Sequence, residues 1–548
     1  MIVAYSDRGF VGGKLSMTMT SSSVALPIPV RGAVYGSKYA VATDHPQASL
    51  AAMNMMQRGG TVGDALIAAS AVLAVTKPYA TQLGGDAFAL IWRRKTNEVE
   101  CLNAGGLAPR RATLAEYAAG IPSVGPRSVT VPGLVDAWFE LHRTYASLPI
   151  EQLLAPALRL CEEGFPISKT LARNIDMLPG FTDPSTEPLK QVYLKDGRTP
   201  YREGETLKLP ELAASMRRII EEGDRDGFYT GLTAELIEKG MAQYGGLIDA
   251  EDLKKETALW HEPIKTSYGG CDVYEQALPS QGIIVLEALN IIENFPMRDW
   301  GVGSANAIHV MIEAIKLAYA DRYRYVADPL VESVPVEVLL SKEHAAMRAK
   351  EIDLSRAKEH RSAPLRTDTT SFVVADEDTA IAFIQTVYSV WGSRFLIPGT
   401  GILMTNRLMG FSTDPASPNR LEPGKRTVHT LNNYLALRDG ELVAGGGTPG
   451  ADFQVQTNLQ TLTGLLSWDL DLQAAVDQPR WGRTGDGSIA LENRFPAGVA
   501  EDLASRGHAV REVGPWNGSG FTQVVASLPQ GGWAVSSDTR GEGLALAT

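Results

Sequence analysis

The sequence predicts a layered α/β protein. Strand-like and helix-like runs occur on both sides of a charged break at residues 344–367. Two β-branched apolar runs follow that break at once, and the longest helical run, Ala305 to Tyr325, keeps Ile308, Ile312, Ile315, Ala318 and Tyr319 on one face.

The elements follow in order. A strand is expected around Ala40, then a helix from Pro46 to Arg58, stopped by Gly59-Gly60. Asp64 to Val75 is apolar almost all round, which predicts a buried helix. Ala87 to Trp92 reads as a core strand with Glu98 to Asn103 as its hairpin partner across Thr96-Asn97. Helices are expected at Pro132 to Tyr145, Ile150 to Glu163 and Leu209 to Glu222. The stretch His344 to Thr367 is charged, carries Pro364 and predicts a polar loop. Thr369 to Ala375 and Ala380 to Val390 predict strands joined at Asp376-Glu377-Asp378. Strands at Asn433 to Leu437 and Leu442 to Gly446, a helix from Phe453 to Leu466, and strands near Val524 and Ala534 complete the chain.

At 548 residues, 44% hydrophobic and 21% charged, the chain can bury a large core. A net charge of −12 without basic runs argues against nucleic acid or anionic membrane as a partner. The three cysteines, Cys101, Cys161 and Cys271, are odd in number and widely spaced, which fits a reducing compartment and no disulfide framework. Residues 1–30 show no secretory pattern and no run is long enough to span a membrane, so the expected location is cytoplasmic. The eight histidines never fall at HxxxH spacing, so no metal is expected. Gly518-Ser519-Gly520, Gly424-Lys425 and Gly399-Thr400-Gly401 each lack the residues that would make them a nucleophile elbow, a phosphate loop or a dinucleotide fingerprint.

The junction Asp368-Thr369-Thr370-Ser371-Phe372 is where chemistry concentrates. Together with Gln82-Leu83-Gly84-Gly85-Asp86-Ala87-Phe88, Val131-Pro132-Gly133, Pro279-Ser280-Gln281-Gly282 and Glu313 to Arg322, it resembles the gamma-glutamyltransferase family of N-terminal-nucleophile hydrolases. The likeness continues through Gly392-Ser393, Pro398 to Leu403, Gly424-Lys425-Arg426 and Gly447-Thr448-Pro449-Gly450, so it covers the chain from Ala42 almost to its end. It implies an αββα sandwich of four layers with two antiparallel sheets. It also implies a precursor cut between Asp368 and Thr369 into a large subunit, residues 1–368, and a small one, residues 369–548, intertwined as one domain. A threonine hydroxyl is a weak nucleophile, and a chain-terminal threonine brings its own α-amine, of reference pKa about 7.7–8.0, as the base. The implied partners are these two subunits and a small amide substrate, with room for a homodimer of such heterodimers; no cofactor is implied. Alone, Thr369 would read as a strand-entry residue.

Residue by residue, the resemblance makes Thr369 the nucleophile and Thr386 the second threonine that contacts it. Gly450 and Ala451 fall at the pair whose backbone N–H groups form the oxyanion hole, with alanine where the family has glycine. The family's substrate-carboxylate arginine and substrate-amine aspartate become Gly105 and Gly410, its paired serines become His429 and Thr430, and a pocket asparagine becomes Tyr388. Losing both ionic anchors predicts a changed specificity. Arg407 and Arg394 lie in pocket-bordering segments and read equally well as carboxylate ligands or as solvated surface arginines. Tyr388 and Trp391 are expected to narrow the cavity, favouring a compact carboxylated amide of the oxamate kind, with glutaryl-type acyl groups left open. Two other readings stand beside it: a conventional gamma-glutamyl hydrolase or transpeptidase acting on glutathione, and a non-catalytic scaffold that stays uncut.

Overall fold

The computed structural model describes residues 31–255, 258–358 and 369–548. Two seven-stranded sheets organise it. The first runs Leu544–Ala547, Ala40–Thr43, Thr370–Ala375, Thr379–Thr386, Asp86–Arg93, Glu98–Ala104, Leu259–His261, antiparallel throughout. The second runs Val34–Gly36, Trp533–Ser537, Gln523–Ser527, Glu441–Gly447, Asn433–Arg438, Cys271–Glu275, Ile264–Tyr268, also antiparallel.

Strand periodicity sorts the side chains into layers. Phe372, Val374, Ile381 and Phe383 face the helices Pro46–Gln57, Val62–Thr76, Leu134–Tyr145 and Ile150–Glu163. Val373, Ala375, Ala380 and Ala382 instead meet Leu435, Leu437, Val525 and Val535 between the sheets. Beyond the second sheet lie Gly282–Ile292, Ala305–Tyr325 and Phe453–Leu466. The result is the expected four-layer αββα sandwich, and both sheets combine strands from before and after residue 368. Residues on either side of position 368 therefore share both sheets.

Local signals explain the placements. Every residue of Val62–Thr76 is buried, as an all-round apolar helix requires, and its start is fixed by a capping box in which Thr61 and Asp64 exchange side-chain and backbone bonds. Such a cap contributes about 1 kcal/mol, and Asp64 also accepts from the backbone of Ser147 and Leu148, so Asp64→Ala would loosen two helix entries at once. The long helix Ala305–Tyr325 is capped by Ser304.

Two expectations need correction. The second strand after the break ends at Thr386 rather than Val390, because Tyr388 enters left-handed backbone at φ 78° and turns its N–H onto the Thr386 hydroxyl. The polar stretch from His344 begins inside a helix, Lys342–Ala349, whose Ser341 cap accepts from the His344 N–H. The rest of that stretch beyond Lys358, including Asp368, lies outside the described residues. All three cysteines are buried free thiols. Among the described residues no helix is long and apolar enough to cross a membrane.

Candidate active site

Strand alternation places Thr369 on the face that looks toward the second sheet, in phase with Val373 and Ala375. Its neighbour in phase, Ser371, donates across the inter-sheet space to Asn433 Oδ1 at 3.0 Å. Thr386 occupies the matching face of the adjacent strand. The Thr369 hydroxyl donates to the Thr386 hydroxyl at 3.3 Å, and the Thr386 oxygen also accepts from the Tyr388 N–H at 2.8 Å. Thr369 is only 1% exposed.

One strand further, Asp86 pairs in register with Thr386. The chain reaches it through Gly84-Gly85, and the close approach explains the second glycine: a side chain there would meet the Thr386 carbonyl oxygen at 2.3 Å. The Gly85 carbonyl accepts from the N–H groups of Gly133 and Leu134 at 2.8 and 3.0 Å, which brings the Val131-Pro132-Gly133 motif to the same corner.

The turn after Glu441–Gly447 supplies the backbone donors. Gly450 sits at φ 124° and Ala451 at φ 54°, a conformation that glycine takes freely and alanine does not. Neither N–H donates to another described residue, whereas their carbonyls accept from Phe453 and Gln454 at 2.9 and 3.0 Å. Gln281 ties this turn to the neighbouring wall: its Nε2 donates to the carbonyls of Thr430 and Ala451 at 2.9 and 3.1 Å. The Ser280 hydroxyl donates to the Leu431 carbonyl at 2.7 Å, and the His429 N–H donates to the Pro279 carbonyl at 3.1 Å. The Pro279-Ser280-Gln281 motif thus holds residues 429–431 in place.

Arg407 is buried, at 1% exposure, and its Nε donates to Asp86 Oδ2. Asp86 also accepts from the Gly106 N–H at 2.8 Å. Burial pushes the Asp86 carboxyl up from the usual carboxylate range, opposed by the adjoining guanidinium. The guanidinium lies 5.2 Å from the Tyr388 ring and 5.8 Å from that of Phe88. His429 packs against the other side of this cluster, its ring centroid 4.2 Å from that of Phe88. Burial, then Arg407 and Arg322, draw the His429 imidazole well below its ordinary value, so the ring is neutral.

Two residues leave the site. Trp391 packs with Tyr193 at 4.9 Å on the helical side of the first sheet, its ring N–H donating to the Asn174 carbonyl at 3.0 Å, so it narrows no cavity. Arg394 lies over Phe181 at 3.8 Å. A cavity of about 320 Å³ shares Tyr388 and Gly410 with the site and borders Val428 and Asp452, the chain neighbours of His429 and Ala451. Asp86 and Gln281 belong to the motifs that carry the resemblance, yet nothing in the sequence shows that they meet Arg407 and Ala451 respectively.

The gamma-glutamyltranspeptidase family profile matches residues 48–548. The chain belongs to that family. It is similar to the glutathione hydrolase-like YwrD proenzyme of Bacillus subtilis (strain 168), 34% identical over 527 residues, 94% of this chain and 99% of that protein. It is similar to the oxamate amidohydrolase proenzyme of Klebsiella pneumoniae, 33% identical over 91% of this chain and 97% of that protein. Among solved structures it resembles the cephalosporin acylase of Bacillus halodurans, with TM-score 0.88, 35% identity, 97% of this chain and 99% of that chain covered. As a member of the gamma-glutamyltranspeptidase family the chain is an amide hydrolase.

Gly105 and Gly410, the positions at which the resemblance places the family's ionic anchors, are uncharged and closely packed. A side chain at Gly105 would meet Asn103 Oδ1 at 3.0 Å and the Phe88 ring at 3.1 Å. One at Gly410 would meet Thr427 Oγ1 at 2.9 Å.

Proposed function

We propose that this protein is an autoprocessing N-terminal-threonine amidohydrolase that cleaves a small carboxylated amide, with Thr369 as nucleophile. In the precursor, Thr369 Oγ1 attacks the Asp368 carbonyl carbon, the C–N bond breaks as the proton passes to the Thr369 nitrogen, and water hydrolyses the resulting ester. The products are a large subunit ending at Asp368 and a small one starting at Thr369. In the mature enzyme the new α-amine takes the hydroxyl proton as Oγ1 attacks the substrate carbonyl. The oxyanion is met by the N–H groups of Gly450 and Ala451, the amine leaves with a proton, and water cleaves the acyl ester. Thr386 orients the nucleophile, and Tyr388, Arg407, His429 and Thr430 border the acyl group.

The observation that supports this reading is the hydroxyl contact between the buried Thr369 and Thr386, together with a turn at Gly450-Ala451 whose two N–H groups have no partner among the described residues. The uncharged, closely packed positions at Gly105 and Gly410 weigh against a gamma-glutamyl head group, which needs a cation for its carboxylate and an anion for its amine. The scaffold reading has no use for these features.

Intact-protein mass spectrometry with N-terminal sequencing tests the first half. A fragment beginning Thr369-Thr370-Ser371 is expected from the natural chain and none from Thr369→Ala, which should also be inactive. An active, uncut Thr369→Ala protein would sink the mechanism. Ammonia release from an amide panel, with glutamate release from glutathione beside it, tests the second half.

A further inference from the structure

We infer that the Nη1 and Nη2 groups of Arg407, with the ring of His429, form the subsite for a carboxylate on the acyl half of the substrate, and that the preferred substrates are monoamides of short dicarboxylic acids. This rests on the amidohydrolase reading above and names the residues that select its substrate.

Asp86 engages Arg407 through Nε alone. Both remaining guanidinium nitrogens are buried, and neither has a hydrogen-bond partner among the described residues. A buried cation whose donors are unpaired is costly, more so than the roughly 1–3 kcal/mol of a neutral group. The planar fork of Arg407 matches one chemistry best: two oxygens of a single carboxylate accepting in parallel. Among the described residues neither His429 ring nitrogen makes a hydrogen bond of good geometry, although the Leu431 backbone interacts weakly with the ring, and the residue is 2% exposed. A neutral imidazole offers one N–H, which the same carboxylate can accept. Phe88, touched by both residues, forms an apolar cluster with Ile384 and Leu431 that dries this floor and strengthens charge recognition.

Length follows from the sheet. Asp86 and Thr386 are register partners on adjacent strands, about 5 Å apart, and the Thr386 hydroxyl touches Thr369. A carboxylate at Arg407 and a carbonyl at Thr369 Oγ1 are therefore joined by an acyl chain of few carbons. The carboxylate that Arg407 engages, that of Asp86, is already committed to Arg407 and the Gly106 N–H, which leaves it poorly placed to receive an α-ammonium.

The experiment uses the self-processed enzyme and an ammonia assay on oxamate, malonamate, succinamate and glutaramate, each against a neutral amide of equal length and against glutamine. At least one carboxylated amide should exceed its neutral match in kcat/KM by about 10²-fold, the scale of two charge-assisted hydrogen bonds, and its free diacid should inhibit competitively. Arg407→Lys, and the double variant Asp86→Asn/Arg407→Gln that leaves no lone buried charge, should bring that ratio toward unity through KM. Equal turnover of charged and neutral amides, or preference for glutamine, by a cut and active enzyme overturns this inference while leaving the amidohydrolase reading intact. An uncut chain inert to every amide overturns the amidohydrolase reading instead. Calorimetry with malonate and succinate reads the subsite without turnover: binding by the natural chain, lost in the double variant, supports it, and no binding refutes it.

Discussion

Replacing Thr386 with valine removes one oxygen and keeps the side-chain shape. That oxygen accepts from the Tyr388 N–H at 2.8 Å and from the Thr369 hydroxyl at 3.3 Å. The first loss strands a buried donor, which costs about 1–3 kcal/mol, at a residue already in left-handed backbone at φ 78°. The second loss falls on the reaction. A single hydrogen bond of about 1–1.5 kcal/mol is worth close to tenfold in rate, and nearer 10²-fold if the bond strengthens as charge develops on the attacking oxygen. Thr386→Val should therefore fold, lose about 2 kcal/mol of stability, and process roughly 10–10²-fold more slowly. Thr386→Ser keeps the oxygen and should stay within about threefold of the natural rate. The assay is a time course of precursor disappearance by intact mass, with urea unfolding run in parallel to separate rate from stability. If the valine variant loses stability yet is cut at the natural rate, the hydroxyl only supports the turn, and the assistance proposed for it is wrong.

Three further outcomes are expected. Asp86→Asn leaves the Arg407 cation buried without its counter-charge and should destabilise the fold by about 3 kcal/mol in denaturant unfolding; a change under about 1 kcal/mol would mean that water reaches the pair. Gly105→Arg should restore no glutathione hydrolysis, since Phe88 and Asn103 fill the space a side chain would enter, and glutamate release would show that the wall yields. The third concerns acid. His508 donates to His309 Nδ1 at 2.8 Å and His309 Nε2 donates to the Asp353 carbonyl at 2.9 Å, the one tautomer assignment that satisfies both contacts. Burial, then Lys316, His309 and Arg506, lower His508 to about 3. The unfolded chain, with histidine near pKa 6.5, takes the proton first, so this contribution is whole above that pH and is lost as pH falls toward 3. His508 should account for about 1–2 kcal/mol of the stability lost between pH 7 and 5, beside other histidines held neutral, such as His45 and His429. His508→Gln should make that segment of a urea-unfolding profile shallower by about that amount.

Periodicity made much of the fold legible. The all-apolar run at residues 64–75, the hairpin across Asn97 and the paired strands after residue 368 each follow from period 2 or 3.6 and a turn signal, and each stands within a few residues of its expected bounds. The strand end at Thr386 was illegible because Val387 and Val390 are β-branched and nothing local announces positive φ at a tyrosine. The site divides in the same way. The proximity of Thr369 to Thr386 follows from two strands joined by a tight turn. The fate of Arg407 does not: solvated and buried arginines look alike in sequence, and only its packing against Asp86, from a strand some 320 positions earlier, decides between them. Trp391 failed for the converse reason, since its neighbours Asn174 and Tyr193 come from a helical region whose position over the first sheet no spacing encodes.

The division between retained and altered parts has a physical cause. On the proposed mechanism the nucleophile, its partner threonine and the oxyanion donors are tied to the sheets: Thr369 immediately precedes the strand Thr370–Ala375, Thr386 ends Thr379–Thr386, and Gly450 and Ala451 come three and four residues after the end of Glu441–Gly447. Moving any of them by one residue would turn a side chain to the opposite face and disturb two layers of core. The substrate contacts are held differently. Gly105, Arg407, Gly410 and His429 lie in segments between strands, where a side chain is exchanged at the cost of its own contacts alone. On this proposal, exchanging two ionic anchors for glycines and leaving a half-paired arginine beside Asp86 is therefore an accessible change for this scaffold. It would alter which acyl group is held without altering how the amide bond is cut.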